Sequence, residues 1–217
     1  MEKFKFAIFD FDGVIANPED VRIATYKQLF IDEFKIKIEF DKKKLIGVSE
    51  ENNLSYLLKK YNLVGDIENL KDKRNQIINN VTSNIKLNTI IYKIINTLFL
   101  LRIPIFIASS SSRKYIKTIL NNNKSKPFYK EIFGSEDVTY KKPNPEIYLK
   151  IKNKYKMHTD DILVFEDSPS GIAAAKKINL HCVGVLGSFT IKDLLNADYY
   201  LNLEEDNKVN SIINLFK

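Results

Sequence analysis

The sequence predicts an α/β fold: a parallel sheet covered by helices on both sides and interrupted once by a helical insertion. Three observations carry this. Short apolar runs with no polar alternation recur along the chain, as expected of strands buried on both faces. A helical pattern follows most of them, the rhythm of a parallel sheet built by crossover connections. One long stretch, 17–85, contains helical patterns but no buried strand, too much chain for a single crossover. With 217 residues, 44% of them hydrophobic and 12% aromatic, the chain is long enough to bury a substantial core.

Strand runs are expected at 5–9, 103–108, 162–165, 181–185 and 199–201. Helices are expected at 112–121, 145–156, 170–178, 191–195 and 207–216. Inside the insertion, amphipathic patterns at 21–33, 50–61 and 69–84 are punctuated by Gly47 and Gly65. The insertion is nearly neutral, with 12 Lys and Arg against 11 Asp and Glu. Most of the net charge of +7 therefore belongs to the remainder. Neither an internal repeat nor a low-complexity linker is evident.

Composition excludes several classes. A single cysteine, Cys182, cannot form an internal disulfide, and with two histidines it cannot complete a Cys/His zinc site. His158, His181 and Cys182 are read as structural or surface residues. The longest apolar stretch, 97–108, carries Arg102 and Pro104, short of the ~18 uninterrupted apolar residues of a membrane span. The N-terminus meets acidic residues at once, so no signal peptide is expected. A soluble, cytoplasmic protein is expected, monomeric by default. The basic stretches 113–130 and 150–156 have few interleaved aromatics and read as helix surface, so no nucleic-acid partner is expected.

Chemistry is expected at the C-terminal ends of the strands, where open parallel sheets bind ligands. The first strand ends Asp10-Phe11-Asp12-Gly13-Val14. Residues two apart on extended chain share a face, so Asp10 and Asp12 can face one pocket. A close carboxylate pair is costly unless a cation lies between them or one is protonated. The second strand ends Ser109-Ser110-Ser111-Ser112, whose hydroxyls and N–H groups can cap a helix or cradle phosphate. Lys142 stands before the rigid turn Pro143-Asn144-Pro145, placed to meet anionic charge. A later strand ends Glu166-Asp167-Ser168-Pro169-Ser170-Gly171, a second carboxylate pair suited to a hard cation of the Mg²⁺ type. Taken singly, each has a structural alternative: an acidic turn, a capped helix, a solvated lysine pair.

Together, in order and spacing, these four motifs resemble those of the haloacid dehalogenase-like hydrolases. Lys142-Pro143-Asn144-Pro145 and Glu166-Asp167-Ser168-Pro169-Ser170-Gly171 are similar to the branch containing β-phosphoglucomutase and phosphoglycolate phosphatase. The resemblance covers essentially the whole chain. It implies a Rossmann-like catalytic core of residues 1–16 and 86–217 with a helical cap of 17–85. It implies Mg²⁺-dependent hydrolysis of a small phosphorylated metabolite through an aspartyl-phosphate, with Asp10 as nucleophile and Asp12 as general acid/base. Ser109, Ser110 and Lys142 would bind the phosphate. The metal would be held by Asp10, the backbone carbonyl of Asp12, and Asp167, with Glu166 in support.

The insertion departs from the pattern. Where the mutase branch carries a histidine and an arginine, the aligned positions read Arg22 and Glu50. Arg22 is a poor proton relay, and Glu50 would repel the distal phosphate of a sugar bisphosphate. Hydrolysis is therefore expected over phosphomutase activity, with the mutase and a non-catalytic metabolite- or protein-binding relative as the alternatives. Arg22, Lys27, Glu50 and Asn53 are the candidates in the insertion for touching the leaving group.

Overall fold

In a computed structural model, the chain divides into two compact units, 1–17 with 86–217, and 18–85. The structure describes residues 4–41, 44–45, 48–125, 127–203 and 208–217; Gly47 and Asn207 lie outside these.

The larger unit is built on a six-stranded sheet. Its strands are β1 (Phe6–Phe9), β4 (Ile105–Ala108), β5 (Glu131–Phe133), β6 (Ile162–Glu166), β7 (His181–Leu186) and β8 (Tyr199–Asn202). They lie in the order β5-β4-β1-β6-β7-β8, and every neighbouring pair is parallel. β1 is central, and the chain winds from it first toward β5 and then, from β6, the other way. The crevice at that reversal, beyond the carboxyl ends of the strands, is where such sheets bind ligands.

Register explains how the sheet packs. Ile8 lies between Phe106 and Val164, and Val164 lies beside Cys182. This row shares one cluster with Ile147, Tyr148 and Ile151 of α6 (Glu146–Lys154) and with Ala174 and Ala175 of α7 (Pro169–Lys176). Side chains alternate along a strand, so the intervening residues point to the other face, where Phe9 and Phe165 stack 4.2 Å apart. Cys182 is a core residue whose thiol burial pushes up.

The structure differs from the sequence reading at four places. β5 was not expected; it is a three-residue edge strand, too short to show a pattern. No element was assigned over α4 (Thr89–Leu100), which forms because Asn88 accepts N–H bonds from Ile90 and Ile91 at 3.1 and 3.3 Å. Its buried residues Ile91, Ile94, Ile95 and Leu98 have helical spacing, masked in the sequence by the apolar run that follows. The expected helix at 191–195 is instead a set of turns, with the Asp193 carboxylate accepting from the Thr190 N–H and hydroxyl. Finally, β2 (Ala16–Asn17) and β3 (Lys86–Leu87) pair antiparallel where the chain leaves and re-enters the sheet unit.

The smaller unit contains α1 (Glu19–Phe34), α2 (Glu50–Lys60) and α3 (Ile67–Val81) around its own apolar cluster, including Tyr26, Leu29, Phe30, Leu54, Leu57 and Leu70. Ser49 caps α2 and Asp66 caps α3. The remaining helices are α5 (Arg113–Asn122) and the C-terminal α8 (Val209–Asn214). Among the described residues no helix is long and apolar enough to cross a membrane.

Candidate active site

β1, β4 and β6 end side by side, and each delivers polar groups at its tip. Asp10 follows β1 directly, its N–H donating to the Phe165 carbonyl at 2.9 Å, which carries the sheet bonding one residue past the strand. Glu166 is the last residue of β6 and continues the row Ile162–Val164, so its side chain faces α6 and α7. Lys142 reaches this point from the loop before α6; its peptide to Pro143 is cis.

Lys142 holds the centre. Its Nζ donates to Asp10 Oδ1 at 2.6 Å, to Glu166 Oε1 at 2.5 Å and to the Ala108 carbonyl at 2.9 Å. Glu166, fully buried, also accepts from the Tyr148 hydroxyl at 2.7 Å and from Ser168 Oγ at 3.2 Å. Gly171 leaves the room for it: a Cβ there would lie 2.0 Å from the Glu166 carboxyl carbon. Ser168 caps α7 by accepting from the Gly171 N–H at 3.1 Å, so Asp167 is not needed as the cap.

Carboxylate oxygens of Asp10, Glu166 and Asp167 lie within 4.8 Å of one another. Burial pushes the Asp10 carboxyl up to about 8, against the pull of Lys142 and with Glu166 and Asp12 adding to the rise. Burial also raises Asp167 well above the usual range, with Asp10 and Glu166 adding. The same negative field, opposing burial, pushes Lys142 up. One lysine among three carboxylates leaves the cluster electron-rich, and an all-oxygen donor set suits a hard divalent cation. The residues present therefore fit a metal of that class.

Asp12 is placed differently. The chain turns after Asp10 rather than staying extended, and the Asp12 carboxylate stands apart from the triad. It accepts from Ser111 Oγ at 2.5 Å and from the Tyr115 hydroxyl at 3.3 Å. Ser109 is buried and accepts from the Ser111 N–H at 3.0 Å, while Ser110 is exposed and Ser112 caps α5.

The structure thus brings Asp10, Asp12, Ser109, Lys142, Glu166 and Asp167 together within one unit. Two contributors, Tyr115 and Tyr148, are absent from the sequence reading, and Ser111 enters it only within the serine run 109–112, with no role of its own. A third serine at the strand end and a tyrosine on the buried stripe of α6 were the only available signals, and neither names its partner.

In the smaller unit, Glu50 Oε1 accepts from Arg74 at 2.6 Å. Arg74 is 1% exposed, stacks over the Tyr26 ring at 3.8 Å and donates to the Arg22 carbonyl at 3.0 Å. The repulsion argued from Glu50 is accordingly weaker than expected, because its charge is compensated by an arginine 24 residues away. Asn53 is buried and donates to the Leu45 carbonyl at 2.9 Å and to the Tyr26 hydroxyl at 3.3 Å. Its side chain is engaged inside the unit. Arg22 and Lys27 are exposed.

A family model described as haloacid dehalogenase-like hydrolase matches residues 7–185. A phosphorylated carbohydrates phosphatase of Thermotoga maritima is 29% identical, over 88% of this chain and 89% of its own. Among solved structures, a β-phosphoglucomutase from Clostridium difficile superimposes with a TM-score of 0.74 at 21% identity, covering 98% of this chain and 97% of that one. A predicted phosphoglycolate phosphatase from Haemophilus somnus gives a TM-score of 0.83 at 16% identity, covering 98% and 99%. At these identities the two structures speak to the fold alone.

Proposed function

The chain belongs to the haloacid dehalogenase-like hydrolase family, and from that premise we propose that it is a phosphatase that hydrolyses a small phosphomonoester through an aspartyl-phosphate. The observation carrying the reading is the convergence on Asp10: a buried carboxylate in contact with Lys142, beside Asp12, at the sheet's ligand-binding edge. The name of the Thermotoga maritima relative makes a phosphorylated sugar the first substrate class to try.

In the first step an Asp10 oxygen bonds phosphorus, the ester P–O bond breaks, and the departing oxygen takes a proton from Asp12. In the second, water bonds phosphorus while Asp12 takes its proton, and the P–O bond to Asp10 breaks to release phosphate. Lys142 and the Ser109 hydroxyl hold phosphate oxygens as charge redistributes. Ser110, exposed on the same loop, offers a further hydroxyl. Asp10, Asp167 and the Asp12 carbonyl would hold a divalent cation, taken to be Mg²⁺, with Glu166 supporting Asp167 and Lys142. When bound, that ion offsets the repulsion between the attacking carboxylate and the phosphate. Arg22 and Glu50 stand as the insert's candidates for choosing among leaving groups.

The test is phosphate release from a panel of phosphomonoesters, with Mg²⁺ or with chelator, for the wild type and Asp10→Asn. Release should need both Mg²⁺ and Asp10, the variant losing at least about 10³-fold. Substantial turnover by Asp10→Asn, or full activity in chelator, would overturn the mechanism.

A further inference from the structure

We propose that Ser111 and Tyr115 are positioning residues for Asp12, holding its carboxyl group on the line of proton transfer to the leaving oxygen. The proposal rests on the phosphatase reading and goes beyond it, since the motif resemblance gives neither residue a role.

The geometry is specific. The two hydroxyls take one carboxylate oxygen each, Ser111 at Oδ2 and Tyr115 at Oδ1. An Asp side chain with both oxygens engaged from different elements has lost its rotational freedom about both side-chain bonds. Ser111 is itself fixed from both sides of its backbone. Its N–H donates to Ser109 Oγ, and its carbonyl accepts from the Ser135 N–H at 3.0 Å. Gly134 allows that approach, because a Cβ there would lie 2.9 Å from the Ser111 carbonyl oxygen. Tyr115 sits in the first turn of α5, where its N–H donates to Ser112 Oγ at 3.2 Å. Its ring lies edge-on to Phe11, 6.4 Å away at 81°, and Phe11 is fully buried between Asp10 and Asp12 in sequence.

The arrangement has two chemical consequences. A hydroxyl both donates and accepts, so either contact survives the departure and return of the Asp12 proton during turnover. And Ser111, with its one hydrogen directed at Asp12, is not the loop's phosphate donor; that role falls to its neighbours. The serine loop therefore divides its work, with Ser109 left to the phosphate and Ser111 serving the acid/base.

Orientation of a general acid matters in proportion to how badly the leaving group needs a proton. Ser111→Ala, Tyr115→Phe and the double variant are compared with wild type on p-nitrophenyl, phenyl and benzyl phosphate, in order of increasingly basic leaving oxygen. kcat/KM reports transfer of the phosphoryl group to Asp10; kcat includes the later attack of water. For Ser111→Ala we expect kcat/KM on benzyl phosphate to fall about 10- to 100-fold more than on p-nitrophenyl phosphate. Tyr115→Phe should give a smaller loss of the same pattern, and Ser111→Thr, which keeps the hydroxyl, should restore most of it. Losses equal across the three esters, or none, would overturn the positioning role, while unchanged thermal melting excludes unfolding as the cause. Wild-type silence on these esters and on the whole phosphomonoester panel overturns the phosphatase reading, and the proposal with it. Wild-type activity with leaving-group-independent variants overturns the proposal alone.

Discussion

At Gly13 the chain turns out of β1 with φ at +90°, and a Cβ there would lie 1.8 Å from Asp167 Oδ2. Two separate requirements meet in this residue: a backbone region that side chains with a Cβ avoid, and room for a carboxylate from just past the end of β6. Gly13→Ala should therefore displace Asp167 and weaken cation binding about 10- to 100-fold, read by calorimetric titration with Mg²⁺ or Mn²⁺. Unchanged affinity would mean that Asp167 tolerates displacement and is not a ligand. The need for glycine at this turn is readable from Asp10-Phe11-Asp12-Gly13. The partner it accommodates is not, because Asp167 is 154 residues distant and only the β1–β6 pairing brings the two together.

At the scale of the element, α6 carries the lysine loop. Glu146, in its first turn, accepts from the Thr139 and Tyr140 N–H groups at 3.0 and 2.8 Å, which closes the loop that bears Lys142. The Lys150 ammonium, one helical turn on, adds an ion pair at 2.9 Å. The hydrogen bond from Lys150, followed by those from the Tyr140 and Thr139 N–H groups, holds the Glu146 carboxyl down to about 2, from an ordinary 4.5. A carboxyl lowered on folding stabilises the folded state above its unfolded value and ceases to do so as pH falls through its folded value. Wild type should therefore melt above Glu146→Gln at neutral pH, and the gap should close between about pH 4.5 and 2. A gap independent of pH would count against this account. α6 itself was expected from its apolar spacing. The loop closure was not, since a glutamate reaching back to two N–H groups leaves no periodic trace.

At the scale of the molecule, the two units have separate cores, one under the sheet and one among α1, α2 and α3. The smaller core has Arg74 at its margin, buried against Tyr26 and paired with Glu50. Removing one partner of a buried pair costs about 3–5 kcal/mol. Arg74→Ala should accordingly speed amide hydrogen exchange across 18–85 while β1, β4 and β6 keep their protection. Equal acceleration in both units would show that they unfold as one. A helical insertion in an α/β chain was legible from the strand-free stretch alone. The Arg74–Glu50 pair was not, because residues on two helices have no fixed relation until those helices pack.

What the sequence determined by itself is what local pattern encodes: an α/β alternation, an inserted helical segment, and four motifs whose order names a family. Strand runs apolar on both faces can be satisfied only inside a covered parallel sheet, so pattern alone pointed to the strand tips as the place to look for a site. Tertiary structure alone decided which side chains meet there. Lys142 joins Asp10 to Glu166, Tyr148 supports Glu166, and Ser111 and Tyr115 hold Asp12. Each of these contacts depends on strand register and helix rotation, which arise from packing the whole unit and leave no mark within any one segment.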